Sequence, residues 1–268
     1  MRRIYMLEAQ SNIPAEFYCH CMEVLEEGGI PFLVGGAFAL RAYTGIIRDT
    51  KDFDVMLRPA DVERALTCLK NAGYDAEIVF SHWLAKAHHG ESFIDIIYSS
   101  GNGLCVVDDA WFAAARAGTL MGRSVQLCPP EEIIWQKAYI MERERYDGAD
   151  IAHLLLYCAE EIDWKRLMQR FGEDVHILLC HLLLFEFIYP HERHLIPAEV
   201  IDHLWQESRY PAEADRVCNG TLLSRAQYLP DIERWGYRDA RVEDRHLLTP
   251  DQRRKWTSGI SSDPHGGG

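Results

Sequence analysis

Apolar and polar positions alternate along the first half of the chain and recur at helical spacing along the second. Residues 14–27 carry an amphipathic helical pattern that ends at Gly28-Gly29, where glycine suits a helix C-terminus. Residues 30–34 form a short apolar run that predicts a strand. Gly35-Gly36 then turns tightly into a small-residue helix over 37–43. A polar connection over 45–51 leads to a strand at 52–58, and Pro59 opens a helix to about residue 71. Further strands are predicted at 75–80, 83–87, 92–98 and 124–128, with a short helix at 111–117.

Pro129-Pro130 marks a change of character. Beyond it the pattern predicts helices at 131–145, 148–160, 164–171, 175–188 and 198–208. The expected fold class is α+β: a small mixed-sheet domain with flanking helices over 1–128, then a helical bundle over 129–210. Residues 211–268 form a C-terminal extension whose Tyr228, Trp235 and Tyr237 predict packing against the body, with disorder after about residue 256.

Composition narrows the function classes. With 48% apolar and 26% charged residues among 268, the chain reads as an ordinary globular protein. Its apolar runs are shorter than a membrane span, and Met1-Arg2-Arg3-Ile4 is followed by no apolar leader segment, so a cytoplasmic location and no membrane partner are expected. Eight scattered cysteines lack zinc-site spacing and read as reduced core thiols. The net charge of −13 tells against bulk nucleic-acid binding, which rests on Lys and Arg contacts to phosphate.

The candidate chemistry centres on three acids. Strand side chains alternate, so Asp52 and Asp54 point one way while Phe53 and Val55 point to the core. Adjacent carboxylates resist joint ionisation unless a cation lies between them. Asp95, set among Phe93, Ile94, Ile96 and Ile97, lies on a strand that should be buried, where a lone carboxylate is costly. If strands 52–58 and 92–98 pair, the three carboxylates converge. Mg²⁺ favours such oxygen ligands, completed by water and substrate phosphates. Two ions about 4 Å apart would activate an attacking hydroxyl and stabilise leaving pyrophosphate.

Other readings stand beside this one. Asp-x-Asp also occurs at strand ends as solvated acids, and Asp95 could pair with an arginine. The Gly35-Gly36 turn sixteen residues earlier, with Arg48 and Thr50 just before the acids, favours function. Glycine admits phosphate close to the backbone, and helix N-termini attract anions. There is no Gly-x-Gly-x-x-Gly and no Walker lysine, so dinucleotide and P-loop readings fail. His88-His89 precede the Asp95 strand and are ordinary loop residues on this reading; His191-Glu192-Arg193-His194 lacks zinc-protease spacing.

Gly-Gly, then Arg-x-Thr-x-Asp-x-Asp, then a lone strand aspartate resembles the nucleotidyltransferase superfamily, which includes DNA polymerase β and the aminoglycoside nucleotidyltransferases. The nearer likeness is to bacterial proteins of the AbiEii toxin type, over roughly residues 30–160. The resemblance implies that Gly35 and Gly36 hold a triphosphate, that Asp52 and Asp54 bind metal, and that Asp95 binds metal or deprotonates the acceptor. It implies two Mg²⁺ ions, an NTP substrate and an unknown hydroxyl acceptor, tRNA among the candidates. Gly36 departs from the many members that have serine there.

Arg48, Thr50, Lys51 and Lys137 are candidate nucleotide contacts. Lys137 precedes Arg143, Arg145, Asp147 and Asp150, resembling a Lys, Arg and Asp-x-x-Asp run of the toxin type. Its neighbours Ile134, Trp135, Ala138 and Tyr139 suit a structural charge equally well. A catalytically silent nucleotide- or partner-binding module is the alternative from another class.

Overall fold

The structure is a computed structural model that describes residues 5–7, 14–48, 50, 52–209 and 216–259. Lys51 lies outside the described residues, as does the end of the expected disordered tail. The chain divides into two compact units, one through Pro129 and one from Pro130 onward.

The first unit is built on an eight-stranded mixed sheet. Its strands are β1 (Tyr5–Leu7), β2 (Leu33–Val34), β3 (Asp52–Met56), β4 (Asp75–Phe80), β5 (Leu84–His89), β6 (Ser92–Ile97), β7 (Arg116–Leu120) and β8 (Arg123–Leu127). They lie in the order β1-β7-β8-β2-β3-β6-β5-β4. The helices are α1 (Ala15–Glu27), α2 (Gly36–Thr44), α3 (Val62–Asn71) and α4 (Asp109–Ala113).

Alternation decides which face of the sheet is covered. Phe53 and Val55 on β3, Ile94 and Ile96 on β6, and Ala85 and Ala87 on β5 are fully buried. Tyr18 of α1 stacks on Phe53 with ring centroids 4.9 Å apart, and Phe38 of α2 meets the same ring edge-on at 5.4 Å. Burying each of these large side chains contributes about 1.5–3 kcal/mol. The intervening residues, Asp52 and Asp54 among them, are thereby turned to the opposite face. The α1 stop is a Schellman arrangement: Gly29 has φ +62°, and the Ile30 and Gly29 amides donate to the Leu25 and Glu26 carbonyls.

One predicted helix is corrected. The stretch expected to be helical to residue 117 stops at Ala113, and Arg116–Leu120 is instead β7. Met121 and Gly122, at φ 50° and 78°, make a two-residue hairpin loop that pairs Leu120 with Arg123. Positive φ at both loop positions matches the twist of flanking strands, so hairpin pairing overrides the helical preference of the alanines.

The second unit contains α5 (Pro130–Ala138), α6 (Gly148–Cys158), α7 (Trp164–Phe171), α8 (Val175–Ile188) and α9 (Ala198–Glu207). Leu154, Leu155, Leu178, Leu182 and Phe185 are fully enclosed. So are Glu131 and Glu132, whose charges are met by Arg166 at 2.6 and 2.5 Å, with Arg170 a further 3.0 Å from Glu132. The helix expected to continue to 145 ends at Ala138. Beyond it Met141 pairs with Tyr146, and the Glu142 carboxylate accepts from the Ser224 hydroxyl and the Arg225 amide. Arg143 therefore sits exposed in the turn between Met141 and Tyr146 and not on a helix. Further along, Arg245 grips both oxygens of Asp174, at 2.7 and 2.6 Å. Among the described residues no helix is long and apolar enough to cross a membrane.

Candidate active site

The uncovered face of the sheet collects the acids. Strands β3 and β6 run parallel with Asp54 opposite Asp95 and Asp52 opposite Phe93. Paired strands lie about 4.8 Å apart, so the Asp54 and Asp95 carboxylates leave the sheet side by side. Asp52 is exposed, Asp54 half-buried, and the Asp95 side chain keeps 15% of its surface. Thr50 holds the start of β3: its hydroxyl donates to the Asp52 carbonyl and accepts from the Asp52 amide, both at 3.2 Å.

On the other side of Asp95, antiparallel β5 places Lys86 directly opposite. Its ammonium lies 2.8 Å from Asp95 Oδ1, an ion pair, and 4.0 Å above the Phe93 ring. Opposite Phe93 stands His88, with ring centroids 5.7 Å apart. Burial pushes the Asp95 carboxyl above the ordinary carboxylate range; Lys86 opposes that rise, and the charge of Asp52 adds to it.

The double glycine closes the third side. The Gly35 amide donates to the Asp54 carbonyl at 2.9 Å, and α2 begins at Gly36 with φ +52°. A Cβ on Gly36 would fall within 2.6 Å of the Asp54 Cγ and overlap its oxygen. A Cβ on Gly35 would strike the Met56 side chain. At Gly35 the terminal methyl of Met56 would have to move aside, whereas Gly36 meets the Asp54 carboxylate and also takes a left-handed conformation that L side chains disfavour.

Arg48 and Lys137 complete the described candidates. Arg48 is exposed on the loop after α2. Lys137 belongs to the second unit, where its ammonium is 2.6 Å from Asp147 and 2.7 Å from Asp150. Burial alone would raise Asp147; hydrogen bonds from Arg145 and the charge of Lys137 bring it down to about 2.

Sequence reasoning missed Lys86. The signal was present: His89 pairs with Ser92 across the Gly90-Glu91 turn, and three steps back along both strands lead to Lys86 and Asp95.

Among the described residues, no three acid, histidine or cysteine side chains are grouped as a ready-made metal cage. The donor chemistry of Asp52 and Asp54 nevertheless fits Mg²⁺, which is commonly held by one or two carboxylates with water and substrate phosphate completing the shell.

No family model matches the chain, and no curated protein matches its sequence. Solved structures do. The chain resembles the antibiotic-resistance factor ANT(2'')-Ia with a TM-score of 0.43 and 18% identity, over 62% of this chain and 95% of that one. It resembles the lincosamide antibiotic adenylyltransferase LnuA, solved with lincomycin bound, with a TM-score of 0.39 and 15% identity, over 54% and 98%. It also resembles an antigenic nucleotidyltransferase-like protein from Paracoccidioides brasiliensis, with a TM-score of 0.45 and 16% identity, over 69% and 94%. These structural neighbours are nucleotidyltransferases and nucleotidyltransferase-like proteins.

Proposed function

We propose that this chain is a Mg²⁺-dependent nucleotidyltransferase that moves a nucleoside monophosphate from an NTP to an acceptor hydroxyl. The observation that carries the reading is the in-register pair Asp54 and Asp95, set on one sheet face with Gly36 packed against Asp54. A phosphate arriving at the α2 N-terminus meets the Asp54 carboxylate, so an anion is accommodated there only with a cation between the two.

Asp52 and Asp54 would hold that cation, which supplies charge neutralisation at the phosphates when bound. The backbone amides at the start of α2 orient the triphosphate, and exposed Arg48, on the loop between α2 and β3, adds positive charge. Asp95 acts on the acceptor. Its Oδ1 is engaged by Lys86, and Oδ2 takes the hydroxyl proton as the acceptor oxygen bonds to the α-phosphorus. The bond from that phosphorus to the β-phosphate bridging oxygen breaks, and pyrophosphate leaves with the electron pair. A carboxyl raised by burial is a stronger base than an ordinary aspartate, which suits this role.

Calorimetry with ATP or CTP in the presence of Mg²⁺ tests the proposal. Metal-dependent binding that disappears in Asp52→Asn is the expected result; no binding of any NTP overturns it. Incubation with labelled NTPs and a cell extract then identifies the acceptor.

A further inference from the structure

We infer that this chain works with a single divalent cation, held between Asp52 and Asp54, because Lys86 occupies at Asp95 the position a second cation would take. The inference rests on the nucleotidyltransferase reading and concerns how that site balances its charge.

Three carboxylates on one sheet face repel, and the face must supply positive charge near each. At Asp95 the chain supplies it itself, through an ammonium 2.8 Å from Oδ1. This lysine is held from two directions. Its backbone is locked opposite Asp95 in the β5–β6 ladder, and its charge rests over the Phe93 ring at 4.0 Å. Phe93 in turn pairs with Asp52 across β3 and β6, so the aromatic platform is part of the same face. A divalent ion binding Asp95 would be brought close to this ammonium, and two cations at one carboxylate repel. Asp52 and Asp54 lie one strand further on, with Asp54 between Lys86's partner and the α2 N-terminus. Asp52 and Asp54 then make a two-carboxylate site for one ion, a ligand number that Mg²⁺ accepts with water and phosphate completing its shell.

The test counts bound metal and needs no turnover. Mn²⁺ is titrated into the full chain, at equal concentrations of protein and α,β-methylene-ATP, and unbound Mn²⁺ is read by electron paramagnetic resonance. One ion per chain is expected in the wild type, with the count unchanged and the affinity within about two-fold in Asp95→Asn. Two ions in the wild type, falling to one in Asp95→Asn, overturn the inference and leave the nucleotidyltransferase reading standing. Absence of Mn²⁺-dependent nucleotide binding overturns both. Lys86→Met, checked for cooperative melting, is expected to admit a second ion; a folded variant that still holds one overturns the role given to Lys86. The wild-type count decides the matter even if that variant does not fold.

Discussion

Gly36 and Asp54 share one volume: the place where a side chain would begin on the glycine is filled by the carboxylate of the aspartate. The turn and the acid are therefore specified together. Gly36→Ala combines a left-handed backbone strain of about 1–2 kcal/mol with expulsion of Asp54 from its position. Both a lower melting temperature and a loss of Mg²⁺-dependent nucleotide affinity of at least ~10-fold are expected, read by thermal denaturation and calorimetry.

Removing the partner of Asp95 leaves a largely buried carboxylate without a counter-charge. Lys86→Met is expected to destabilise the first unit by about 1–3 kcal/mol, less than for a fully enclosed pair because both side chains retain some solvent. The double variant Lys86→Met/Asp95→Asn should recover part of that loss, since no unpaired charge remains. Urea denaturation of the four chains gives the coupling directly; additive losses would refute it.

Acid titration should separate two aspartates with opposite signs. Asp147, held at about 2 in the folded chain against an ordinary value of 3.8, contributes stability that is complete above the ordinary value and lost as pH falls toward 2. Its loss in Asp147→Asn should amount to roughly 2 kcal/mol near neutrality and vanish at the acid end. Asp95 is raised, so the folded chain binds its proton more tightly than the unfolded one, and its contribution weakens as pH rises above the ordinary range. Asp95→Asn should therefore be relatively more stable at neutral than at acid pH. Urea midpoints between acid and neutral pH check both signs.

Arg166 joins two glutamates that have no solvent exposure. Arg166→Leu strands two buried negative charges beside each other, with Arg170 left to answer for Glu132 alone. A loss of about 3–5 kcal/mol is expected, large enough to unfold the second unit near physiological temperature. Circular dichroism melting of the variant tests this, and a shift of only a degree or two would contradict it.

Much of the site was legible because strand periodicity is a strong constraint. Asp52 and Asp54 had to share a face once Phe53 and Val55 were assigned to the core. Placing Asp95 on that face needed only the pairing of two strands. What stayed hidden depends on partners distant in sequence. The charge at Asp95 comes from Lys86, an unremarkable lysine until the hairpin register is counted. The role of Glu131 and Glu132 depends on two arginines more than thirty residues away. The β7 strand was masked by alanines that favour helix locally, whereas its fate is set by a two-residue loop. The partners of Lys137 became visible only in the fold, where its amine meets Asp147 and Asp150.

The parallel run of β3 and β6 fixes when this centre can come into existence. Neighbouring parallel strands cannot be joined by a tight turn, so the chain completes α3 and the β4–β5 hairpin before β6 returns to its place. Asp54 and Asp95 stand 41 residues apart in sequence, a long closure that ranks among the slower steps of folding. A nascent chain emerging from the ribosome thus displays Asp52 and Asp54 well before it holds their counterpart. The three acids meet only in the finished domain, and a fragment cut within that crossover keeps Asp52 and Asp54 without Asp95.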